Sequence, residues 1–309
     1  MQTIAQAFAT FMPTLELTEA QSQAAIDQHT YLREQLKQRM DVEDNFLSGS
    51  YARKTAVRPL NDIDVFLVLT PTRTLNTSTP PPKVLAEVKR VLEEIYAAKV
   101  ANPQARSVNI EFTGTRIAYD VVPAFAKRTD VYTIPDADAS NWIETNPKIH
   151  KEMSTAANEL AAKKLKPLLK ALKHANNRHG NPARSFHLEV LTWNVLTGDP
   201  GPYMDGLVTL LDGLARRICD PCPDPAGLGA DIRPAFERCE KARTWLGEMA
   251  ALAREAKQLS EDGRTGEAHF RMRKILGEQW PEAGTSGSSR SAAVVVAGGS
   301  VDHSGSRFG

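Results

Sequence analysis

The stretch Leu47–Leu69, LSGSYARKTAVRPLNDIDVFLVL, decides the fold of this chain of 309 residues. A Gly-Ser pair at 49–50 is followed by a linker, and then Asp62 and Asp64 open the apolar run 65–69. Side chains alternate along a strand, so residues two apart share a face. The two carboxylates therefore point the same way at the mouth of a buried strand, and their repulsion favours a cation between them. Oxygen ligands of this kind, together with substrate phosphates, suit Mg²⁺.

The Gly49-Ser50 pair is the second half of the pattern. Backbone N–H groups in such a turn can hold the phosphates that bound metal ions share. Taken alone, an Asp-x-Asp is often a turn or a helix cap, and a Gly-Ser pair is an ordinary loop. In this order and ahead of a hydrophobic strand, the two together are much more specific. They predict a site for a metal-bound polyphosphate.

A third carboxylate is predicted on a later strand. Residues 107–112 alternate polar and apolar side chains as a half-buried strand does, and a Thr-Gly turn follows. The chain returns in the apolar segment 116–125, where Asp120 is the acidic exception. Because Asp is disfavoured in central strands, we expect Asp120 to bind metal rather than to be neutralised by a buried Arg or by backbone donors. Glu111 is the alternative, although its alternating face is typical of a solvated position.

These motifs resemble the nucleotidyltransferase superfamily that includes DNA polymerase beta, which uses GS, then D-x-D, then a third Asp on a later strand. Further segments are similar to the bacterial CD-NTases, the cyclic GMP–AMP synthase-like enzymes of anti-phage (CBASS) signalling operons. The similar segments are Gly49–Val57, Tyr132–Asp136, Trp142–Lys148, Leu172–His174, Ser185–Glu189, Arg273–Gly277 and Trp280–Pro281. The resemblance extends from about residue 15 to residue 281. One departure is Ala175, where the family often carries Trp after a Lys-His pair.

The resemblance implies an activity. Such an enzyme transfers a nucleoside monophosphate from an NTP to a hydroxyl, releases pyrophosphate and closes a cyclic di- or trinucleotide, with ATP among the substrates. It implies two Mg²⁺ ions, for which Mn²⁺ can substitute. Two other interpretations stay open: an enzyme of the same fold that acts on RNA ends or a small molecule, and a non-catalytic nucleotide-binding scaffold. The intact carboxylates and Gly-Ser pair count against the scaffold.

The resemblance also implies a role for each site residue. Asp62 and Asp64 are expected to hold both metal ions, and Asp120 the ion on the acceptor side. The residues expected to contact the β- and γ-phosphates are Gly49, Ser50, Lys173 and Ser185. Lys170 competes with Lys173, because residues three apart on a helix can both approach one face.

We predict an α+β chain with a polymerase-beta-like nucleotidyltransferase lobe, built on a small mixed sheet, over residues 1–143, and a helical lobe over residues 144–281. The first lobe includes a helix that begins at the capping box of Thr18. Its predicted inward residues are Ile26, Leu32, Leu36 and Met40. The other predicted elements are a strand over 62–70 and a short helix that begins at about residue 51. A helix is predicted over 83–99, and another ends near residue 180. The remaining predicted helices cover 185–196, 205–218, 231–258 and 265–276.

Composition narrows the function and the compartment. A net charge of +1 with 24% charged residues lacks the basic signature of a duplex-binding polymerase. Three cysteines are too few for a disulfide framework, and Cys219, Cys222 and Cys239 lack a nearby fourth zinc ligand, so we favour a structural role. No apolar run reaches the roughly 20 residues of a membrane span. The N-terminus lacks the charged region of a signal peptide, which predicts a cytoplasmic protein with no membrane partner.

Residues 282–309 are rich in Gly and Ser, and we predict that they are disordered. In some operons of the family that this chain resembles, a ubiquitin-E1/E2-like partner activates the enzyme's C-terminal carboxylate and ligates it to amines. The resemblance therefore implies conjugation through Gly309. Val294–Val296 would add a strand or an anchor on the partner's surface.

Overall fold

Residues 2–284, which the computed structural model describes, form a lobe built on a β-sheet and a lobe of helices. This is the predicted α+β class with a small mixed sheet. The strands are β1 Val42–Ser48, β2 Asp62–Leu69, β3 Asn102–Pro103, β4 Val108–Phe112, β5 Ile117–Arg128, β6 Val131–Asp136 and β7 Asn141–Thr145. The helices are α1 Ile4–Phe11, α2 Glu19–Arg39, α3 Gly49–Ala52, α4 Pro81–Ile95, α5 Pro147–Leu160, α6 Leu165–Arg178, α7 Ser185–Val195, α8 Tyr203–Arg217, α9 Phe236–Glu261 and α10 Thr265–Leu276.

The sheet places the predicted strands side by side in the order β1-β2-β5-β4-β3. β2 and β5 run parallel, whereas β1 pairs with β2, and β4 with β5, in antiparallel fashion. Helices α2 and α4 contribute to the apolar core on one face of this sheet. A smaller cluster that includes Phe66, Val68 and Val122 covers part of the other face. Because both faces are covered, β2 is an almost continuous apolar run after its two Asp residues.

Helix α2 begins where the capping box predicts. The Thr18 hydroxyl accepts from the Gln21 N–H, and the Gln21 side chain accepts from the Thr18 N–H. The prediction of an inward Ile26 is wrong, since this side chain is 43% exposed. Helical spacing from the buried Leu32 and Leu36 selects positions 25 and 29, so Ala25 and His29 face the core instead.

The N-terminal residues contribute to the helical lobe. Ile4, Phe8, Phe11 and Leu15 belong to the same apolar core as α6 to α10. The ring of Trp280 lies 4.8 Å from the ring of Phe8 and 5.5 Å from that of Phe11. This packing differs from the predicted division, which assigned the whole N-terminus to the first lobe. The reason is that the α1 aromatic side chains cover an apolar surface next to the end of the helical lobe.

The helical lobe starts slightly later than predicted, because β7 continues to Thr145 before α5 begins at Pro147. Helix α9 begins at Phe236 rather than at 231, because Asp231 accepts from the N–H groups of Cys222 and Arg233 and holds the preceding loop.

Two of the three cysteines form hydrogen bonds with nearby groups. The Cys239 thiol donates to the Pro234 carbonyl, and the Cys219 thiol donates to the Glu240 carboxylate.

Among the described residues, no helix is both long and apolar enough to cross a membrane. The predicted tail beyond residue 284, with Val294–Val296 and Gly309, lies outside the described residues.

Candidate active site

The three predicted carboxylates lie on adjacent parallel strands. Asp62 and Asp64 are the first and third residues of β2, and Asp120 lies on β5 directly opposite Asp64. All three line one cavity of about 550 Å³. The alternative residue, Glu111 on β4, pairs with Ala118, is exposed and does not line this cavity. The β2–β5 register therefore brings together residues far apart in the chain.

Burial and neighbouring negative charge raise the pKa values of two of the carboxylates. Burial, followed by the charges of Asp62 and Asp120, raises the pKa of Asp64 to about 6. Burial and the charge of Asp62 also raise the pKa of Asp120, against the hydrogen bond that the Asn109 amide donates to its Oδ1 at 2.8 Å. Three carboxylates are thus concentrated at this end of the sheet.

This donor set suits a hard divalent cation, since carboxylate oxygens are the ligands that Mg²⁺ prefers. Within residues 2–284 no three His, Cys, Asp or Glu side chains already converge on one point where an ion would fit. Burial is the main cause of the raised pKa values of Asp64 and Asp120, and the neighbouring carboxylates add repulsion that a divalent cation would relieve. Asp62, Asp64 and Asp120 are the residues that would hold it.

The Gly-Ser turn lies against these carboxylates. Helix α3 begins at Gly49, two residues earlier than predicted, and follows β1, whose last residue Ser48 pairs with Asp64. Gly49 has φ +63°, and a Cβ atom there would lie only 1.6 Å from Oδ2 of Asp64. Glycine is thus required both for the backbone conformation and for the close approach. Gly49 and Ser50 line the same cavity as the carboxylates.

The helical lobe lines the opposite side of the cavity. Lys173 of α6 and Ser185, the first residue of α7, both line it. The Lys173 ammonium donates to the Thr55 carbonyl at 3.1 Å and to Glu189 at 3.3 Å. Lys170 instead forms an ion pair with Glu16 at 2.6 Å and does not line the cavity. All seven predicted site residues therefore border one space, and Lys170 does not.

Several contacts around the site are not evident from the sequence. The Arg53 guanidinium forms an ion pair with Glu189 at 2.6 Å and lies 5.0 Å from the centre of the Phe186 ring. Arg53 and Glu189 each lie in a segment that is similar to the CD-NTases, but nothing in the sequence pairs two residues that are 136 positions apart. Asn109 was recoverable, because it is a polar residue on the strand that pairs with Asp120.

Further cavity residues come from both lobes. His150 of α5 is held by the carboxylate of Asp224, which lies 2.7 Å from its Nε2. Arg106, before β4, and Arg184, before α7, also line the cavity. The part of the cavity beyond the carboxylates is thus lined by two cations, by the Phe186 ring and by the imidazole of His150. Such a wall suits a ligand with several phosphates and flat rings.

Residues 1–158 match the family described as the Second Messenger Oligonucleotide or Dinucleotide Synthetase domain. The chain belongs to this family. The predicted resemblance to the bacterial CD-NTases is therefore confirmed, and with it the activity of a nucleotidyltransferase that makes cyclic oligonucleotides from NTPs. Family membership supports this activity over the RNA-end, small-molecule and scaffold alternatives.

Curated relatives of this synthetase carry related names. The chain is 28% identical over 319 residues to a cyclic AMP-AMP-AMP synthase of Acinetobacter sp., covering 94% of this chain and 90% of that protein. It is 25% identical over 203 residues to a cyclic UMP-AMP synthase of Rhodothermus marinus, covering 55% of this chain and 70% of that protein.

Solved structures agree on the fold. CdnC of E. coli MS115-1 with ATP matches with a TM-score of 0.72 at 16% identity, over 91% of this synthetase and 100% of CdnC. CdnG of Bradyrhizobium diazoefficiens, a CD-NTase solved with GTP, matches with a TM-score of 0.71 at 13% identity, over 89% and 95% of the two chains. At these identities the likeness confirms the architecture of a sheet lobe joined to helices.

Proposed function

We propose that this synthetase joins nucleoside triphosphates, ATP among them, into a cyclic di- or trinucleotide in the cavity between Asp62, Asp64 and Asp120 on one side and Lys173 and Ser185 on the other. One observation carries the proposal. A carboxylate triad and the groups predicted to bind phosphate, which come from two lobes, line the same cavity in a chain of the synthetase family.

The triad would hold two Mg²⁺ ions, which Mn²⁺ can replace. Asp62 and Asp64 would contact both, and Asp120 would contact the ion nearer the acceptor hydroxyl. Bound there, the ions supply Lewis-acid stabilisation of the negative charge on the attacking and leaving oxygens. The hydrogen bond from the Asn109 amide to Oδ1 of Asp120 would orient this carboxylate for a ligand.

The remaining residues position the donor nucleotide. The backbone N–H groups of Gly49 and Ser50 would hold the β- and γ-phosphates that the metal ions share, and Lys173 and Ser185 would contact the same phosphates from the helices. In each transfer the acceptor hydroxyl oxygen bonds to the α-phosphorus, the bond to pyrophosphate breaks and the hydroxyl loses its proton. The final transfer is intramolecular and closes the ring.

The choice of ATP is supported by two relatives. The Acinetobacter protein is named a cyclic AMP-AMP-AMP synthase, and CdnC was solved with ATP. The decisive experiment incubates the purified chain with all four NTPs and Mg²⁺ and identifies the products by mass spectrometry. We expect a cyclic product that contains AMP, and none from the Asp62→Asn, Asp64→Asn double variant. Undiminished synthesis by the double variant would refute the assignment of the triad.

We further propose that the product acts as a second messenger in anti-phage defence in the cytoplasm, where NTPs are available. Two kinds of partner are candidates. CdnC was solved in complex with a HORMA protein, and conjugation through Gly309 by an E1/E2-like partner stays a prediction of the sequence. Co-expression with neighbouring genes tests the latter: we expect adducts of higher mass that Gly309→Glu abolishes. Adducts that persist in that variant would contradict the prediction.

A further inference from the structure

A buried ion cluster joins the two lobes behind the cavity. Its centre is Glu189 of α7, which is 0% exposed. From the sheet lobe, Arg53 donates to both carboxylate oxygens at 2.6 and 3.3 Å, and the Thr55 hydroxyl donates at 3.0 Å. From the helical lobe, Lys173 donates at 3.3 Å. One carboxylate thus accepts hydrogen bonds from two cations and a hydroxyl.

The charges of the cluster are arranged with the cations next to the cavity and the carboxylate behind them. Arg53 and Lys173 line the cavity, whereas Glu189 and Thr55 do not. The two positive charges therefore border the space that phosphates would enter, and the negative charge stays behind them. Burial opposes the charge on Glu189, but Arg53, Lys173 and the Thr55 hydroxyl together hold the pKa of this carboxyl below its ordinary value. The carboxylate is consequently charged at neutral pH.

The cluster is also connected to the Gly-Ser turn. The Ser50 carbonyl accepts from the N–H groups of Thr55, at 2.9 Å, and Ala56, at 3.1 Å. The Thr55 carbonyl in turn accepts from the Lys173 ammonium at 3.1 Å. Thr55 therefore shares hydrogen bonds with both the turn and the cluster. The Arg53 N–H also donates to the Gly49 carbonyl at 3.2 Å, so a change at Glu189 would reach the turn through both Thr55 and Arg53.

We propose that Glu189 is a positioning residue for triphosphate binding, whose carboxylate holds Arg53 and Lys173 at the cavity and ties the Gly49-Ser50 turn to the helical lobe. The inference rests on the proposed function, which makes this cavity a nucleoside triphosphate site. Buried hydrogen-bonded carboxylates that orient the groups in contact with a ligand commonly act in this way.

The direction in which one substitution changes anion binding distinguishes a positioning role from a passive one. A carboxylate that merely lies near the cavity repels phosphates, so its removal strengthens anion binding. A positioning carboxylate has the opposite effect. Without its charge, the two buried cations repel each other and lose the charged acceptor that orients them, so anion binding weakens.

The test compares Glu189→Gln with Glu16→Gln, which also removes a carboxylate from a lysine of α6 but lies away from the cavity. Binding of inorganic tripolyphosphate is measured by calorimetry at fixed Mg²⁺, and KM and kcat are measured with ATP. For Glu189→Gln we expect binding about tenfold weaker, a KM raised by about the same factor and a kcat within about threefold of wild type. Glu16→Gln should leave all three unchanged.

Tripolyphosphate binding by Glu189→Gln that equals or exceeds wild type would overturn the proposal. If that variant loses its cooperative melting transition, Thr55→Val replaces it, since it keeps all three charges and removes only the hydroxyl donor. We then expect binding about threefold weaker, and wild-type binding would overturn the proposal. The binding measurement requires no turnover, so absence of a cyclic product would count against the proposed function alone.

Discussion

At the scale of single residues, the space and the charge around positions 49 and 64 restrict which side chains fit there. Gly49 has no room for a side chain beside Asp64, and Asp64 is surrounded by like charges. Both constraints arise because the Gly-Ser turn and two acidic strands meet at one point. The residue types were evident in the sequence, and the reason for each became evident only from its neighbours.

Gly49→Ala should abolish synthesis. The new Cβ would lie 1.6 Å from Oδ2 of Asp64, so the turn or the carboxylate must move. Gly180→Ala is the matched control, because that glycine also has positive φ, +81°, but nothing lies within 4 Å of its Cβ position. Both variants should lose about 1–2 kcal/mol of stability from backbone strain. Cyclic-product assays should show loss of activity in Gly49→Ala only, and equal activities would contradict the geometry.

Asp64 should make the metal-free protein less stable as pH rises. Its folded pKa of about 6 exceeds the ordinary value of 3.8, so the folded state holds the proton more tightly. The stabilising contribution is complete below about pH 4 and is lost as pH rises through about 6, an effect of about 3 kcal/mol.

This contribution is measured as the difference in melting temperature between wild type and Asp64→Asn in EDTA at pH 4.5 and 7.5. We expect wild type to lose stability relative to the variant at the higher pH. A difference that does not change with pH would show that Asp64 titrates normally.

At the scale of elements, two helices acquire their roles from what they touch. On α6, Lys170 and Lys173 are both buried and three residues apart, yet one pairs with Glu16 and the other lines the cavity. Helical periodicity alone leaves them equivalent. Helix α1, which no motif marked, packs two aromatic rings against Trp280.

Lys173→Ala should weaken nucleotide binding more than Lys170→Ala. Of the two lysines, Lys173 lines the cavity, and in its proposed role its loss would remove a charged hydrogen bond to phosphate and raise the KM for ATP by about tenfold or more. Lys170→Ala breaks an ion pair with a half-exposed partner and should change KM by less than about threefold. Steady-state kinetics on both variants decide, and a larger effect at Lys170 would reverse the assignment.

Phe8→Ala should destabilise the helical lobe. The Phe8 side chain is 1% exposed, and truncation of a buried Phe costs about 3–5 kcal/mol. Phe270→Ala is the control, because that ring is 56% exposed and its loss should cost less than about 1 kcal/mol. Chemical denaturation with urea measures both. Similar losses in the two variants would show that α1 does not pack as described.

At the scale of the whole molecule, the site exists only where the two lobes meet. The sheet lobe supplies the carboxylates and the Gly-Ser turn, and the helical lobe supplies Lys173 and Ser185. A ligand that contacts both lobes should therefore stabilise the entire fold rather than one part. The buried pairing of Arg53 with Glu189 already joins the lobes without ligand.

Mg²⁺ with a non-hydrolysable ATP analogue should raise the melting temperature in a single transition. A ligand at a hundred times its dissociation constant adds about 2.7 kcal/mol of stability. The Asp62→Asn, Asp64→Asn variant should lose most of the part that depends on Mg²⁺. Differential scanning calorimetry with and without EDTA measures this. Two separate transitions, or equal stabilisation of the double variant, would contradict a shared site.

The sequence by itself determined the sheet lobe, the triad and the family, because these depend on local order: a Gly-Ser pair, an Asp-x-Asp ahead of a strand, and an Asp inside an apolar strand. Only the tertiary structure decided that Lys173 rather than Lys170 borders the cavity, that α1 joins the helical core and that Glu189 holds Arg53. Each of these is a contact between distant segments, and hydrophobic periodicity indicates which face is buried without indicating which partner covers it.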